Sequence, residues 1–280
     1  MLRSLLDSAS ASLVDEVWSW EAINQGDLAL VNAESLNEIF DWHDDARDIV
    51  NFLLNYLPEE TTPASLPTCL AHVPEAVFAL LSLMIAHFFL CRALAALNFP
   101  KLFSSLILVD PIITAEKTKL VDEAVRFAVN AFTMQMFWSS RGEALSQFKE
   151  SPFFTSWHPD VLKTYVDHGL AVDTAGSIRS KTTSVQESLT FVNVPVFIEV
   201  WELLEKLDEN ITLRWVVPSP GFLGEEDTKA RVWRRPANTS NMVFSFAGHL
   251  IVQEAPIELA QDIATFLSTN YGSPQFKAAL

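Results

Sequence analysis

The sequence predicts an α/β chain built on a mostly parallel sheet, and three observations predict it. Ser105-Leu106-Ile107-Leu108-Val109-Asp110-Pro111 is a continuous apolar run closed by Asp-Pro, the pattern of a central parallel strand covered on both faces. Strand-like and helix-like segments alternate along the chain, an order that implies right-handed crossovers between parallel strands. Between Leu66 and Ala76 a short apolar run ends in a tight turn and opens straight into an apolar helix.

Composition narrows the class. A length of 280 residues suits one α/β domain spanning 1–280, and 49% hydrophobic against 19% charged residues excludes a disordered chain. With 35 acidic and 19 basic side chains the net charge is −16, so a polyanion is repelled and nucleic acid is not an expected partner. This acidity is read as favouring solubility of an intracellular protein. The C-terminal Lys277-Ala278-Ala279-Leu280 is not a peroxisomal address of the Ser-Lys-Leu type, and the expected location is cytoplasmic. Met1 to Leu6 lacks the sustained apolar run of a secretory signal, because Asp7 and a serine-rich stretch follow at once. Cys69 and Cys91 lie among apolar residues and read as small core side chains; neither a disulfide, a metal nor a cofactor is expected. Ala76 to Cys91 is apolar but shorter than the roughly 20 residues that cross a bilayer, and it carries Ser82 and His87, so a buried helix is expected there and no stable membrane span.

Taken in order, Arg3 to Leu13 reads as the tail of a helix and Glu16-Val17-Trp18-Ser19-Trp20 as a strand of alternating apolar character. Asn24-Gln25-Gly26-Asp27 marks a loop. From Trp42 to Tyr56 the residues Ala46, Ile49, Val50, Leu53 and Leu54 recur at helical spacing until Pro58 stops the run. Pro63 and Pro67 bracket a linker into the opening strand; the corner, a helix over Val77 to Leu97 and a turn at Pro100 follow. Beyond the Ser105 strand, about Thr114 to Ser188 reads as helical and rich in aromatic residues: Phe127, Phe132, Phe137, Trp138, Phe153, Phe154 and Trp157. Inserted after a central strand, residues 114–188 are expected to form a helical cap over the carboxyl ends of the sheet. Its aromatic side chains are read chiefly as core, with the lining of an apolar substrate pocket as the alternative. Thr212 to Val217 is another strand, ended by Pro218-Ser219-Pro220-Gly221. Met242 to Phe246 is the last strand, leading into Ala247-Gly248-His249, and a helix over Pro256 to Thr269 closes the chain.

Several stretches carry a family resemblance. Val17 to Asp27, followed by Asp41-Trp42-His43-Asp44-Asp45-Ala46-Arg47-Asp48, resembles the segment before the nucleophile strand in fungal α/β-hydrolases of the toxin-biosynthesis group. Phe103 to Pro111 resembles the next strand of that group, Ser151-Pro152-Phe153-Phe154-Thr155-Ser156-Trp157 its cap, and Ala247 to Pro256 the loop carrying its catalytic histidine. The resemblance implies an α/β-hydrolase fold with a helical cap. It also implies an esterase-like or thioesterase-like activity on a small apolar or acyl substrate in the synthesis of a secondary metabolite. Some relatives with this fold catalyse non-hydrolytic steps, so fold does not fix the reaction.

The chain departs from the family pattern twice. It starts where the family is already well into the fold, so the first strands and an oxyanion-hole loop are expected to be missing. The helix after the corner is also longer by roughly a dozen residues than the elbow motif leaves before the next strand. Residues 74–90 are accordingly expected to be foreign sequence joined to the family-like Arg92-Ala93-Leu94-Ala95-Ala96-Leu97.

A serine hydrolase needs a nucleophile, a base, an acid to orient the base and two oxyanion donors. At the corner the five places of G-x-S-x-G read Ala71, His72, Val73, Pro74 and Glu75. Val73 at the nucleophile place has no reactive group, and Pro74 lacks the backbone N–H that would hold the oxyanion. His72 resembles the histidine that often precedes the nucleophile serine and otherwise reads as a packed corner residue, and Ser82 and Ser104 sit on no elbow. His249, after a short strand near the chain end, occupies the place of the triad histidine. Asp110 at the carboxyl edge of a central strand is either the acid that orients His249 or a turn residue before Pro111. His43, Asp44 and Asp45 are adjacent on a helix start and cannot all face one metal, so a solvated helix start is expected. By resemblance the chain is expected to be an ester or thioester hydrolase, with the nucleophile place held by Val73. A non-hydrolytic binding or proton-transfer protein using His249 and Asp110 is the alternative, and an inactive remnant a third.

Overall fold

The computed structural model describes residues 1–14, 16–56, 88–222 and 224–272. The opening strand, the corner at Leu66 to Ala76 with Val73, and the first part of the following helix lie outside the described residues, as does Cys69.

The elements run α1 (Leu2–Leu6), α2 (Gly26–Val31), α3 (Trp42–Asn55), α4 (Phe88–Asn98), β1 (Ser105–Val109), α5 (Lys117–Thr133), β2 (Phe137–Trp138), α6 (Arg141–Glu150) and α7 (Pro159–His168). They continue with β3 (Leu170–Val172), β4 (Ile178–Ser180), α8 (Ser184–Val192), α9 (Pro195–Leu203), β5 (Thr212–Pro218), α10 (Glu225–Val232), β6 (Thr239–Phe244), α11 (Ile251–Glu254) and α12 (Pro256–Tyr271). Strands β1, β5 and β6 form one sheet in the order β1-β5-β6, parallel throughout, with Val109 opposite Val216 and Pro218 opposite Phe244. All five residues of β1 are buried, which accounts for the apolar run Leu106 to Val109, and the buried Ser105 hydroxyl is hydrogen-bonded to the Tyr271 hydroxyl.

Helices cover the sheet with apolar faces. Helix α3 begins at Asp41, whose carboxylate accepts from the His43 backbone N–H at 2.9 Å, and it buries Trp42, Ala46, Ile49 and Val50. It packs against α4, where Leu90, Cys91 and Ala93 to Ala96 are buried. Helix α12 starts with Pro256 in its first turn and buries Leu259, Ala260, Ile263, Phe266 and Leu267.

Four expectations are corrected. Glu16 to Trp20 has no regular secondary structure, because its tryptophans anchor it as an extended segment on α3. Trp18 meets Phe52 edge-on with centroids 5.1 Å apart, and the Trp20 indole donates to Asp45 at 3.0 Å. The helix expected over Arg3 to Leu13 is only α1 and one 3-10 turn at Ala11–Leu13. Serine side chains between them compete for backbone groups: Ser8 Oγ accepts from the Ser10 N–H at 3.2 Å, while the Ser10 hydroxyl donates to Ala264 O on α12 at 2.7 Å.

The segment 114–188 is not helical throughout, since β2, β4 and β3 form a small antiparallel sheet within it. The unread signal is a hairpin turn: Asp173 Oδ1 accepts from the N–H groups of Ala175 and Ser177, and Gly176 adopts φ +86°. The helix start at His43, Asp44 and Asp45 is not wholly solvated. His43 bridges Asp41 and Glu199, Asp44 pairs with Arg47, and Asp45 is buried, with burial pushing its carboxyl above the ordinary value. The side chains of the three neighbours thus face separate partners, none of them shared.

The described aromatic residues of 114–188 divide between core and surface. Trp138, Phe148, Phe154, Trp157 and Tyr165 form an apolar cluster separate from the one around the parallel sheet, while Phe132, Phe137 and Phe153 are exposed.

Candidate functional site

Asp110 is the first residue past β1. Its N–H still donates to Val216 O at 2.8 Å, so the ladder with β5 runs one residue beyond the strand. Its φ is +38°, a left-handed conformation that non-glycine residues rarely adopt. The turn into Pro111 aims the carboxylate along the carboxyl edge of the sheet, and the residue is fully buried.

His249 follows β6 and sits in the turn before α11, with its side chain 18% exposed. Its Nδ1 lies 2.6 Å from Asp110 Oδ2. An ionised carboxylate can only accept, so Nδ1 carries a proton and donates it, and in the neutral imidazole Nε2 then holds the lone pair that a base requires. The two residues read from the sequence as candidate base and acid are therefore in contact. Pro111 then serves the turn as well, and Asp110 is both turn residue and histidine partner. Ser104, which lies before β1, gives its carbonyl to the Thr212 N–H at 2.9 Å and lies at the opposite end of the strand from Asp110.

Two groups at the site carry no sequence signal. The guanidinium of Arg231, on α10 and fully buried, donates to Asp110 Oδ1 and to Pro111 O, and reaches Thr228 Oγ1 at 3.4 Å. Nothing in the local pattern Lys229-Ala230-Arg231-Val232 distinguishes this arginine from a solvated helix residue. Phe222 packs its ring against the His249 imidazole with centroids 4.8 Å apart, and its other neighbour is Phe127 of α5 at 5.6 Å. Both Phe222 and Arg231 come from the stretch after β5. A Cβ on Gly221 would lie 2.0 Å from Thr228 Oγ1, so only glycine lets this stretch lie so close to α10. Thr114 ties the loop after β1 to the same helix, donating to Asp227 at 2.5 Å.

The segment 114–188 reaches this edge of the sheet: Leu250, next to His249, packs against its apolar cluster, and the His158 N–H donates to Gln253 O at 2.8 Å. Among the described residues no group of three or more potential metal ligands is gathered, and no helix is long and apolar enough to cross a membrane.

No family model matches the chain. It is similar to the protein of Saccharomyces cerevisiae named peroxisomal membrane protein LPX1, with 23% identity over 208 residues, 68% of this chain and 50% of that one. The chain thus spans about half the length of the curated relative it matches. Of solved structures, the peroxisomal α/β-hydrolase Lpx1 of Saccharomyces cerevisiae superposes with a TM-score of 0.67 at 19% identity, over 89% of this chain and 67% of that one. E-2-(acetamidomethylene)succinate hydrolase superposes with a TM-score of 0.63 at 16% identity, over 83% and 76%. The parallel β1-β5-β6 sheet, the helices that cover it and these likenesses show that the chain has the α/β-hydrolase fold.

Proposed function

We propose that the chain is an ester or thioester hydrolase of secondary metabolism, acting on a small apolar or acyl substrate with His249 as base and Asp110 as the acid that orients it. The observation that carries this reading is the 2.6 Å contact between His249 Nδ1 and Asp110 Oδ2 at the carboxyl edge of a parallel sheet. Residues 114–188 are the cap that would cover the substrate, a role supported by their separate apolar cluster and its contact with Leu250 beside the base.

Position 73 is valine, so no acyl-enzyme forms there. The nucleophile is then water: it attacks the acyl carbonyl carbon while His249 Nε2 takes its proton, and the imidazolium returns that proton to the departing alkoxide or thiolate. Asp110 keeps the ring in the correct tautomer and stabilises the positive charge that it gains. The valine also favours a second reading, in which the same dyad moves a proton on a bound substrate without hydrolysis. A cytoplasmic location belongs to this proposal, against the peroxisomal name of the yeast relative; a fluorescent fusion that collects in peroxisomes would overturn it.

Hydrolysis of short p-nitrophenyl esters and acyl thioesters tests the first reading. Turnover that His249→Ala removes and that a fluorophosphonate leaves intact supports attack by water. Turnover abolished by the fluorophosphonate would place a serine nucleophile elsewhere in the chain. No turnover by the parent protein on either substrate class would leave the second reading.

A further inference from the structure

We propose that Arg231 is a positioning residue that fixes the Asp110 carboxylate in the one orientation able to serve His249. The inference rests on the reading of His249 as a working base, and it concerns a residue to which neither the sequence nor the comparisons assign a role.

A carboxylate at the end of a strand has two torsions to settle and, once buried, needs partners for both oxygens. Asp110 divides them: Oδ2 accepts from His249 Nδ1, and Oδ1 accepts from Arg231 Nη2. The guanidinium is planar and presents its donors as a rigid fork. Its other prong donates to Pro111 O, the carbonyl next along the chain, so Arg231 grips the side chain and the backbone of the same turn. This grip matters because the turn has a φ of +38° at Asp110, a conformation that surrounding contacts must hold in place. Arg231 is held in its turn by Thr228 one helical turn earlier, and Thr228 packs against Gly221.

Charge points the same way. Arg231 and Asp110 are both fully buried, and the arginine supplies a permanent countercharge that an imidazole does not. With the guanidinium removed, Oδ1 loses its donor and the carboxylate turns to share both oxygens with whatever donor is nearest, His249 included. The 2.6 Å bond to Nδ1, which selects the tautomer, is then no longer held in place.

The test is the Nδ1 proton of His249 in the full-length protein, observed by NMR as a low-field resonance and assigned by its loss in His249→Ala. In Arg231→Met the resonance is expected to disappear while the amide spectrum remains that of a folded protein. In Arg231→Lys, which restores the charge but not the fork, it is expected to persist at a shifted position. Where ester turnover is measurable, Arg231→Met lowers kcat by about 100-fold with little change in KM, the cost of a misplaced catalytic group. An unchanged resonance in Arg231→Met overturns the proposal. If that variant fails to fold, an unchanged resonance in Arg231→Lys overturns it equally. A parent protein that shows the resonance but hydrolyses nothing refutes the hydrolase reading and leaves the positioning role standing.

Discussion

Replacing Glu187 by glutamine should stabilise the protein above neutral pH and do almost nothing in acid. Glu187 stands in the first turn of α8 and lines a cavity of about 30 Å³ with Trp138, Phe148, Phe154, Tyr165 and Ser180, room for about one water. Burial raises its carboxyl from 4.5 to about 7, against a hydrogen bond with Gln25 that lowers it. Burial, with the charge of Glu187, pushes the neighbouring Tyr165 hydroxyl well above its usual value. The sign follows from linkage. The folded state holds the Glu187 proton more tightly than the unfolded state, so this stability is fully present below about pH 4.5 and is lost as pH rises to about 7. At complete burial the difference would be worth about 3 kcal/mol. The side chain keeps some contact with solvent, so about 1–2 kcal/mol is the expected gain for Glu187→Gln at pH 8, shrinking toward pH 5. Urea unfolding of both proteins from pH 5 to pH 8 measures it through the midpoint at constant m-value. A difference in stability that does not change with pH would refute the reasoning, because it would show that the carboxyl titrates alike in both states.

The other expectations concern the sheet edge and its supports. Asp110→Asn leaves Arg231 as an uncompensated buried cation and should cost about 3 kcal/mol by urea unfolding, besides removing any activity that depends on His249; a loss below about 1 kcal/mol would show that the pair is not buried as described. Asp262→Ala deprives Arg214 of a nearly buried partner that it meets through both Nε and Nη2. This variant should destabilise the β5–α12 contact by about 3 kcal/mol, and a thermal midpoint equal to that of the parent protein would contradict it. Gly221→Ala places a methyl group against Thr228 and should cost about 1–3 kcal/mol, with a perturbed His249 Nδ1 resonance if α10 shifts as a unit; a fully parental stability would mean that the loop yields without cost.

Much of the framework was legible because it is encoded locally. The run Ser105 to Val109 announces a doubly covered strand whatever surrounds it, and the spacing of Ala46, Ile49 and Val50 announces a helix face. The short strand and the Ala247-Gly248 turn mark His249 as a candidate base. Other local signals misled. The alternation over Glu16 to Trp20 looks like a strand, but the large tryptophan rings find their partners on α3. The turn at Asp173 to Gly176 lies in a stretch dominated by helical aromatic residues, whose pattern masks the β3–β4 hairpin.

By itself, then, the sequence marked the α/β class, the parallel character of its sheet, His249 as a candidate base and the valine at position 73. Those properties depend on residue type and on spacing within a few turns of chain. Only the tertiary structure put Asp110 in contact with His249 and brought in Arg231 and Phe222. His249 and Arg231 lie 139 and 121 residues from Asp110 along the chain. What joins them is the packing of the stretches after β5 and β6 against the end of β1. No local periodicity records such a meeting, because it depends on where separate elements come to rest.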